Sequence, residues 1–331
     1  MAADLSIRVT RFLHSRWMLL TMAVVTVACG ALWMAAGNEA GFSGDRGLLF
    51  PSANLWFGND LMSGIVNIAL TLTLALMMIT LNRTYTLQRT ATLLDGTLFL
   101  AMSVATPRAL CAVNTGTVLA LAIITCLYIL YGNYGDLTRR VGIYIVFLML
   151  SALTMTQYCF ALYIPVFILG IVQMRIFNFK ALAAILLGLA TPWWLVLASG
   201  TARPSDVHLP SFADIFSTFS IGDSLGYLLT VGVTVLTFIT AWILNVPRLI
   251  AYNAHKRAYN GMLTVMSFMT VLAVCLDYIN AMVYISVLYM SAAFQVSNIF
   301  EARRKGGYLT ILMIIVLNLA IYVCKILHLH L

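Results

Sequence analysis

Residues 156–194 read TQYCFALYIPVFILGIVQMRIFNFKALAAILLGLATPWW. Two apolar runs, Tyr158–Met174 and Ala181–Leu197, flank a tight loop that carries Arg175 and Lys180. At 1.5 Å per residue, each run forms a helix just long enough to cross a hydrocarbon core of about 30 Å. Apolar run, short basic loop, apolar run: this unit recurs along the whole chain.

Composition agrees with that unit. The chain has 331 residues, of which 62% are hydrophobic and 9% charged, against a charged share of about 25% in soluble domains. A soluble protein of this size needs more polar surface. In lipid, each helix must satisfy its own backbone hydrogen bonds. The expected fold class is therefore all-α, a polytopic transmembrane helical protein with one integral membrane domain spanning 1–331. The lipid bilayer is its first partner.

A net charge of +8 raises the question of nucleic acid. The basic residues sit in twos and threes in short loops, with no basic stripe or aromatic platform, so no nucleic-acid partner is expected. The six cysteines (Cys29, Cys111, Cys126, Cys159, Cys275 and Cys324) stand singly, with no CxxC and no Cys/His cluster. Neither a metal centre nor a cofactor is expected.

Arg8, Arg11 and Arg16 precede the apolar run Trp17–Ala36. That run is longer than a signal-peptide core, so an uncleaved first span is expected, with its N-terminus held inside. An outer loop of about 37–60 follows, and its segment GLLFPSANLWF is apolar enough to lie at the membrane interface. Further spans are expected over Leu61–Leu81, Thr90–Thr106 and Thr115–Tyr131. Val141–Met174 is 34 residues of nearly continuous apolar sequence, about 51 Å as one helix, so two spans turning at Thr156–Gln157 fit better, with a re-entrant hairpin as the alternative. The seventh span ends at Pro192-Trp193-Trp194, before a second outer loop over about 199–223. The eighth covers Ser224–Leu244, and NVPRLIAYNAHKRAYN returns the chain inside. Gly261–Phe300 should break at Asp277–Asn280, and a last span covers Tyr308–Leu327. That makes about 11 spans. In this threading fifteen of the 19 Lys and Arg fall inside, and only Arg46, Arg108, Arg203 and Lys325 outside. The positive-inside rule then places the N-terminus inside and the C-terminus outside.

The segment LNRTYTLQRTATLLDGTLFLAMSVATP (81–107) resembles the second-to-third-span region of an uncharacterised family of bacterial multi-pass inner-membrane proteins. Arg175, Phe177-Asn178, Gly188 and Pro192-Trp193 resemble that family's later pattern. The chain has Arg175-Ile176-Phe177 where the family often has Arg-Pro-Phe. It also has Asp95 two residues after Leu93, where the family has Leu-Pro. The resemblance covers roughly the first two hundred residues. It implies a bacterial inner-membrane, cell-envelope setting and brings no established activity.

Seven of the 11 acidic residues fall on the expected outer side, with Arg46 and Arg203 in the same loops and Arg108 on the same side. Arginine can hold a phosphate and a carboxylate can serve as base. Asp45, Arg46, Asp60, Arg108 and Asp277 are thus substrate-binding candidates for a lipid-linked substrate. Plain solvated loops explain the same residues. Asn67 and Asp95 are the intramembrane polar candidates, because an acid in a span is costly and functional by default. If the third span begins near Leu94, Asp95 instead becomes an interfacial acid beside Arg89. For Asn67, Asn82, Gln157, Asn280, Gln295 and Asn298, hydrogen bonding between helices is the ordinary expectation. His208 near Asp206 and Asp214 reads as plain loop. Nucleotide and HExxH motifs are absent. Three readings stay open: envelope-glycan or lipid-linked-sugar handling of a glycosyltransferase or polymerase kind, a transporter or flippase, and a non-catalytic scaffold bound to another membrane protein. The residues do not decide whether the chain is an enzyme.

Overall fold

The structure is a computed structural model that describes residues 15–35, 48–88, 92–207, 221–277 and 280–302. Asp45, Arg46, Arg89, His208, Asp214 and the expected last span lie outside those residues. The helices are α1 (Arg16–Ala35), α2 (Asp60–Tyr85), α3 (Leu94–Val104), α4 (Pro107–Leu110), α5 (Thr115–Tyr131), α6 (Arg140–Thr154), α7 (Ile164–Gln173), α8 (Phe179–Ala198), α9 (Ile221–Ala251), α10 (Ala254–Leu276) and α11 (Ala281–Ala302). Among the described residues there is no strand.

Among the described residues six segments are long and apolar enough to cross a bilayer: α1, α2, α8, residues 230–247 of α9, α10 and α11. The stretches Leu94–Val104, Thr115–Tyr131, Arg140–Thr154 and Tyr158–Gln173 are apolar but shorter. The membrane reading holds at that level.

Asparagine punctuates the starts. Asn59 caps α2 by accepting from the Leu61 N–H at 3.0 Å. Asn114 caps α5 through the Thr117 N–H at 2.8 Å, and Asn178 caps α8 through the Ala181 N–H at 2.6 Å. The chain turns where the apolar runs are too long for one helix. Residues 155–157 end α6, and 277–280 separate α10 from α11.

Three boundaries differ from the sequence reading. The expected third span, Thr90–Thr106, contains a helix of 11 residues, about 16 Å long, followed by the short α4. Asn114 caps α5 with its side chain, and Pro107 lacks an N–H, so neither continues a helix. The expected exit at Pro192 is not an exit: α8 continues to Ala198 with Pro192 inside it. Membrane helices tolerate such a proline: it leaves the Gly188 carbonyl without its N–H partner, and the adjacent Leu189 carbonyl accepts from the Ser151 hydroxyl at 2.7 Å. The expected inner loop 245–260 is nearly all helix. Only Tyr252 and Asn253 separate α9, which holds Pro247, from α10.

The bundle is built around α11. Of its span-length window, 89% is buried inside the protein, and its mean hydropathy, 1.3, is the lowest of the six. A helix that lipid never touches can afford hydroxyls. It packs on α3, α5, α9 and α10. On the flank, α6 lies close against α8, where a Cβ on Gly188 would sit 2.8 Å from the Tyr144 carbonyl oxygen. Small residues permit such approaches between membrane helices.

Cross-chain bonds define two ends. At one, Tyr131 and Tyr259 stack at 4.4 Å. Each hydroxyl donates to the other residue's carbonyl, at 2.9 and 3.1 Å. Tyr85 packs on both rings, and Asp95 lies in the same layer. At the other end lie Asn59, Asn114, Gln157 and Asp277.

Candidate functional site

At the Asp277 end, four polar side chains meet. Asp277 is 5% exposed. One carboxylate oxygen accepts from the Tyr284 hydroxyl at 3.0 Å and from the Tyr158 hydroxyl in a short bond. The other accepts from the Asn280 amide at 3.0 Å. That amide also donates to the Tyr158 oxygen at 2.8 Å. Tyr158 comes from the 3-10 turn Tyr158–Tyr163, Asp277 from the end of α10, and Tyr284 from the first turn of α11. The site exists because two over-long apolar runs each break at this end. Three donors on one carboxylate are charge-assisted bonds, stronger than neutral ones. Together the groups can hold a proton or exchange hydroxyl partners with a substrate.

Next to this cluster the backbone between α3 and α5 runs through the protein interior. Asn67, fully buried, donates to the carbonyls of Ala109 at 2.8 Å and Leu110 at 3.1 Å. Ser63 accepts from the Val113 N–H at 2.8 Å. The Thr115 hydroxyl donates to Gln157 at 2.8 Å, and the Thr115 N–H to Asn54 at 3.1 Å. Irregular backbone is tolerated at depth only when protein satisfies it, and these side chains do so. The segment 48–57 folds over the same region. Leu49 and Phe50 donate to the Met155 carbonyl at 2.8 and 3.1 Å, while Trp56 and Phe57 stay exposed. Between α2, α3, α4, α5 and α11 lies a cavity of about 10 Å³, whose wall includes Thr71, Ser103, Thr106, Thr117, Ser286 and Tyr289.

The sequence candidates separate. Asp277 is in the cluster. Asn67 braces the broken α3–α4 segment. Asp60 and Arg108 are exposed, at the first turn of α2 and on α4, and form no ion pair among the described residues. Among the described residues the one ion pair is Arg139–Asp136, at 3.2 Å. Asp45 and Arg46 lie outside the described residues.

Asp95 lies at the opposite end. The helix begins at Leu94, as the interfacial reading of this acid required, yet Asp95 is completely buried. Its two oxygens accept from the Asn82 and Gln88 amides, each at 2.6 Å. Lys256 donates to the Gln88 carbonyl at 3.2 Å and Asn260 to the Leu87 carbonyl at 3.2 Å. The layer ties α2, Leu87 and Gln88, α3 and α10 together. All six amides expected to bond between helices find partners on another segment. Besides Asn67, Asn82, Gln157 and Asn280, these are Gln295 with Asn245 at 3.0 Å and Asn298 with Asn260 at 3.4 Å.

Sequence reasoning missed Tyr158 and Tyr284. Tyrosine in an apolar run reads as ordinary interior or interface. A signal was present on α11, where Tyr284, Ser291, Gln295 and Asn298 recur at helical spacing along one face.

The chain matches no family model, no curated protein and no solved structure.

Proposed function

We propose that the protein acts on a polar-headed, lipid-linked substrate at its Asp277 end, in the manner of a membrane glycosyltransferase or polymerase of envelope glycans. The observation that carries this reading is the buried Asp277 carboxylate, gathered by Tyr158, Tyr284 and Asn280 beside a segment whose Trp56 and Phe57 are exposed. A carboxylate with two phenols suits hydrogen bonding to sugar hydroxyls, and Asp277 is the proposed base. An aromatic segment beside it suits a substrate that arrives from the bilayer interface. Asp45, Arg46, Asp60 and Arg108 are the proposed outer ring that first meets the phosphate.

The proposal places the chain in a bacterial inner membrane, with about 11 spans, the N-terminus inside and the Asp277 end outside. Charge supports that direction. Arg16, Arg83, Arg139, Arg175, Lys180 and Lys256 belong to the Asp95 end, and Arg108 and Arg203 to the other.

The test is transfer from a polyprenyl-phosphate-linked sugar by purified protein in liposomes. Asp277→Asn should cut the rate about 100-fold or more, the range of general acid–base effects, while the variant still folds. In cells, the double variant Asp45→Asn/Asp60→Asn should alter the surface polysaccharide profile. Wild-type transfer by Asp277→Asn and an unchanged profile in the double variant would sink the reading.

A transporter reading draws on the hydroxyl-walled cavity beside a broken helix. It requires that Asp95→Asn and Asn67→Leu change uptake or flipping. Unchanged transport in both removes it.

A further inference from the structure

The cavity beside the broken helix differs from a generic packing defect in which atoms it offers. The Thr71 hydroxyl donates to the Asn67 carbonyl at 2.8 Å. The Ser103 hydroxyl donates to the Phe99 carbonyl at 2.9 Å. The Thr117 hydroxyl faces the Asn114 side-chain oxygen at 3.3 Å, and the Thr106 hydroxyl the Ser103 carbonyl at 3.4 Å. Each of these hydrogens is directed back at its own segment, so the oxygens keep lone pairs for an occupant. These four residues are 2–6% exposed. Tyr289, fully buried on α11, lies beside Thr106.

One further feature has the same sign. The Asn67 side-chain oxygen, one helical turn before Thr71, is buried and bonded to nothing in the structure. The wall takes Ser103 from the last turn of α3 and Thr117 from the first turn of α5, so helix ends of both signs meet there. No arginine or lysine belongs to the wall. The volume of about 10 Å³ suits one water-sized occupant.

We propose that this cavity is a sodium-ion site, formed by the hydroxyl oxygens of Thr71, Ser103, Thr106 and Thr117 at the break between α3 and α4. Broken membrane helices bind Na⁺ through unwound backbone and half-helix C-terminal ends, and a hard cation takes oxygen ligands. The ion fastens α2, α3 and α5 to one another and fixes the wall against which Tyr289 of α11 rests. The inference goes beyond the glycan reading and needs no substrate for its test.

The experiment uses the full chain in detergent and follows thermal unfolding. NaCl is titrated against choline chloride at constant ionic strength. Sodium should raise the Tm saturably by about 2–4 °C, the size expected for a ligand that binds only the folded state, and KCl should do so less. Ser103→Ala and Thr106→Val should each remove most of the increment. Thr73→Val, on the exposed face of α2, should keep it. If Thr106→Val does not fold, Ser103→Ala decides alone, and ²²Na⁺ retained by wild-type protein gives a second readout. Equal Tm in sodium and choline, with no retained ²²Na⁺, means that the cavity holds water and overturns the proposal. A sodium effect that survives both wall variants also overturns it, because the ion then binds elsewhere.

Discussion

Single residues carry the strongest commitments. Tyr158 and Tyr284 both donate to Asp277, yet they enter from different breaks in the chain. Tyr158→Phe leaves the Asn280 amide one acceptor short and the carboxylate one donor short, in a buried site. Unmade buried bonds of this kind cost about 1–3 kcal/mol, so the variant should unfold several degrees earlier in a detergent melt. Asp95→Asn faces a different problem. An amide replaces one oxygen that accepts from Asn82 or Gln88, and two NH₂ groups then point at each other. A similar loss, about 1–3 kcal/mol, is expected with substrate handling unaffected, and a transfer defect at full stability would contradict the bracing role given to Asp95. Arg175 sits at φ +59°, in the left-handed region that costs a non-glycine residue about 1–2 kcal/mol. Arg175→Gly should hold or raise the Tm, and a lowered Tm would mean that the side chain does more than close the turn. In the loop after α5, Asp136 is held below its usual 3.8 by hydrogen bonds from Thr138, with help from Arg139. A lowered carboxyl stabilises the fold above the unfolded value and loses that effect as pH falls through the folded one. A carboxyl NMR titration of Asp136 should therefore show a midpoint below 3.8.

At the scale of elements, the α3–α4 break and the course of α11 shape the interior. Apolarity alone made 90–106 read as one span. The helix there covers only Leu94–Val104, the short α4 follows from Pro107, and Asn67 and Ser63 satisfy the buried backbone that leads on to α5. Where α5 begins, a Cβ on Gly116 would lie 2.7 Å from the Val283 carbonyl oxygen of α11. A carbonyl held in a helix cannot move aside cheaply. Gly116→Ala should cost about 1–3 kcal/mol, the range for overpacking. It should shift the Asp277 cluster too, because Tyr284 follows Val283 directly. Equal Tm for this variant and wild type would show that α5 and α11 are free to separate.

For the molecule as a whole, charge and packing meet. The loops that carry most of the described arginines and lysines gather at the Asp95 end, and Asp60, Asp206 and Asp277 at the other. A cysteine at Ser199, on the Asp277 side of α8, should react with a membrane-impermeant maleimide added to intact cells. A cysteine at Arg139 should react only after the membrane is opened. The reverse pattern would invert the proposed orientation and move the proposed site to the cytoplasmic face.

The sequence by itself determined the all-helical membrane class, the turns at 156–157 and 277–280, and the start of α5 at Thr115. Those features follow from local causes: the length of an apolar run against the thickness of a bilayer, and a side chain that caps or breaks the helix it touches. The six amides were legible for a related reason, since a buried amide in a bundle must find a partner whatever the topology. The tertiary structure alone decided which partner each amide meets, and that α11 is the hidden helix. It alone placed Tyr158 and Tyr284 on Asp277, turned the hydroxyls of four helical segments toward one cavity, and carried α8 past Pro192. These include hydrogen bonds between residues 119 and 122 positions apart. No local pattern encodes them, because a tyrosine or threonine in an apolar run looks the same whether it faces lipid, a neighbouring helix or a buried acid.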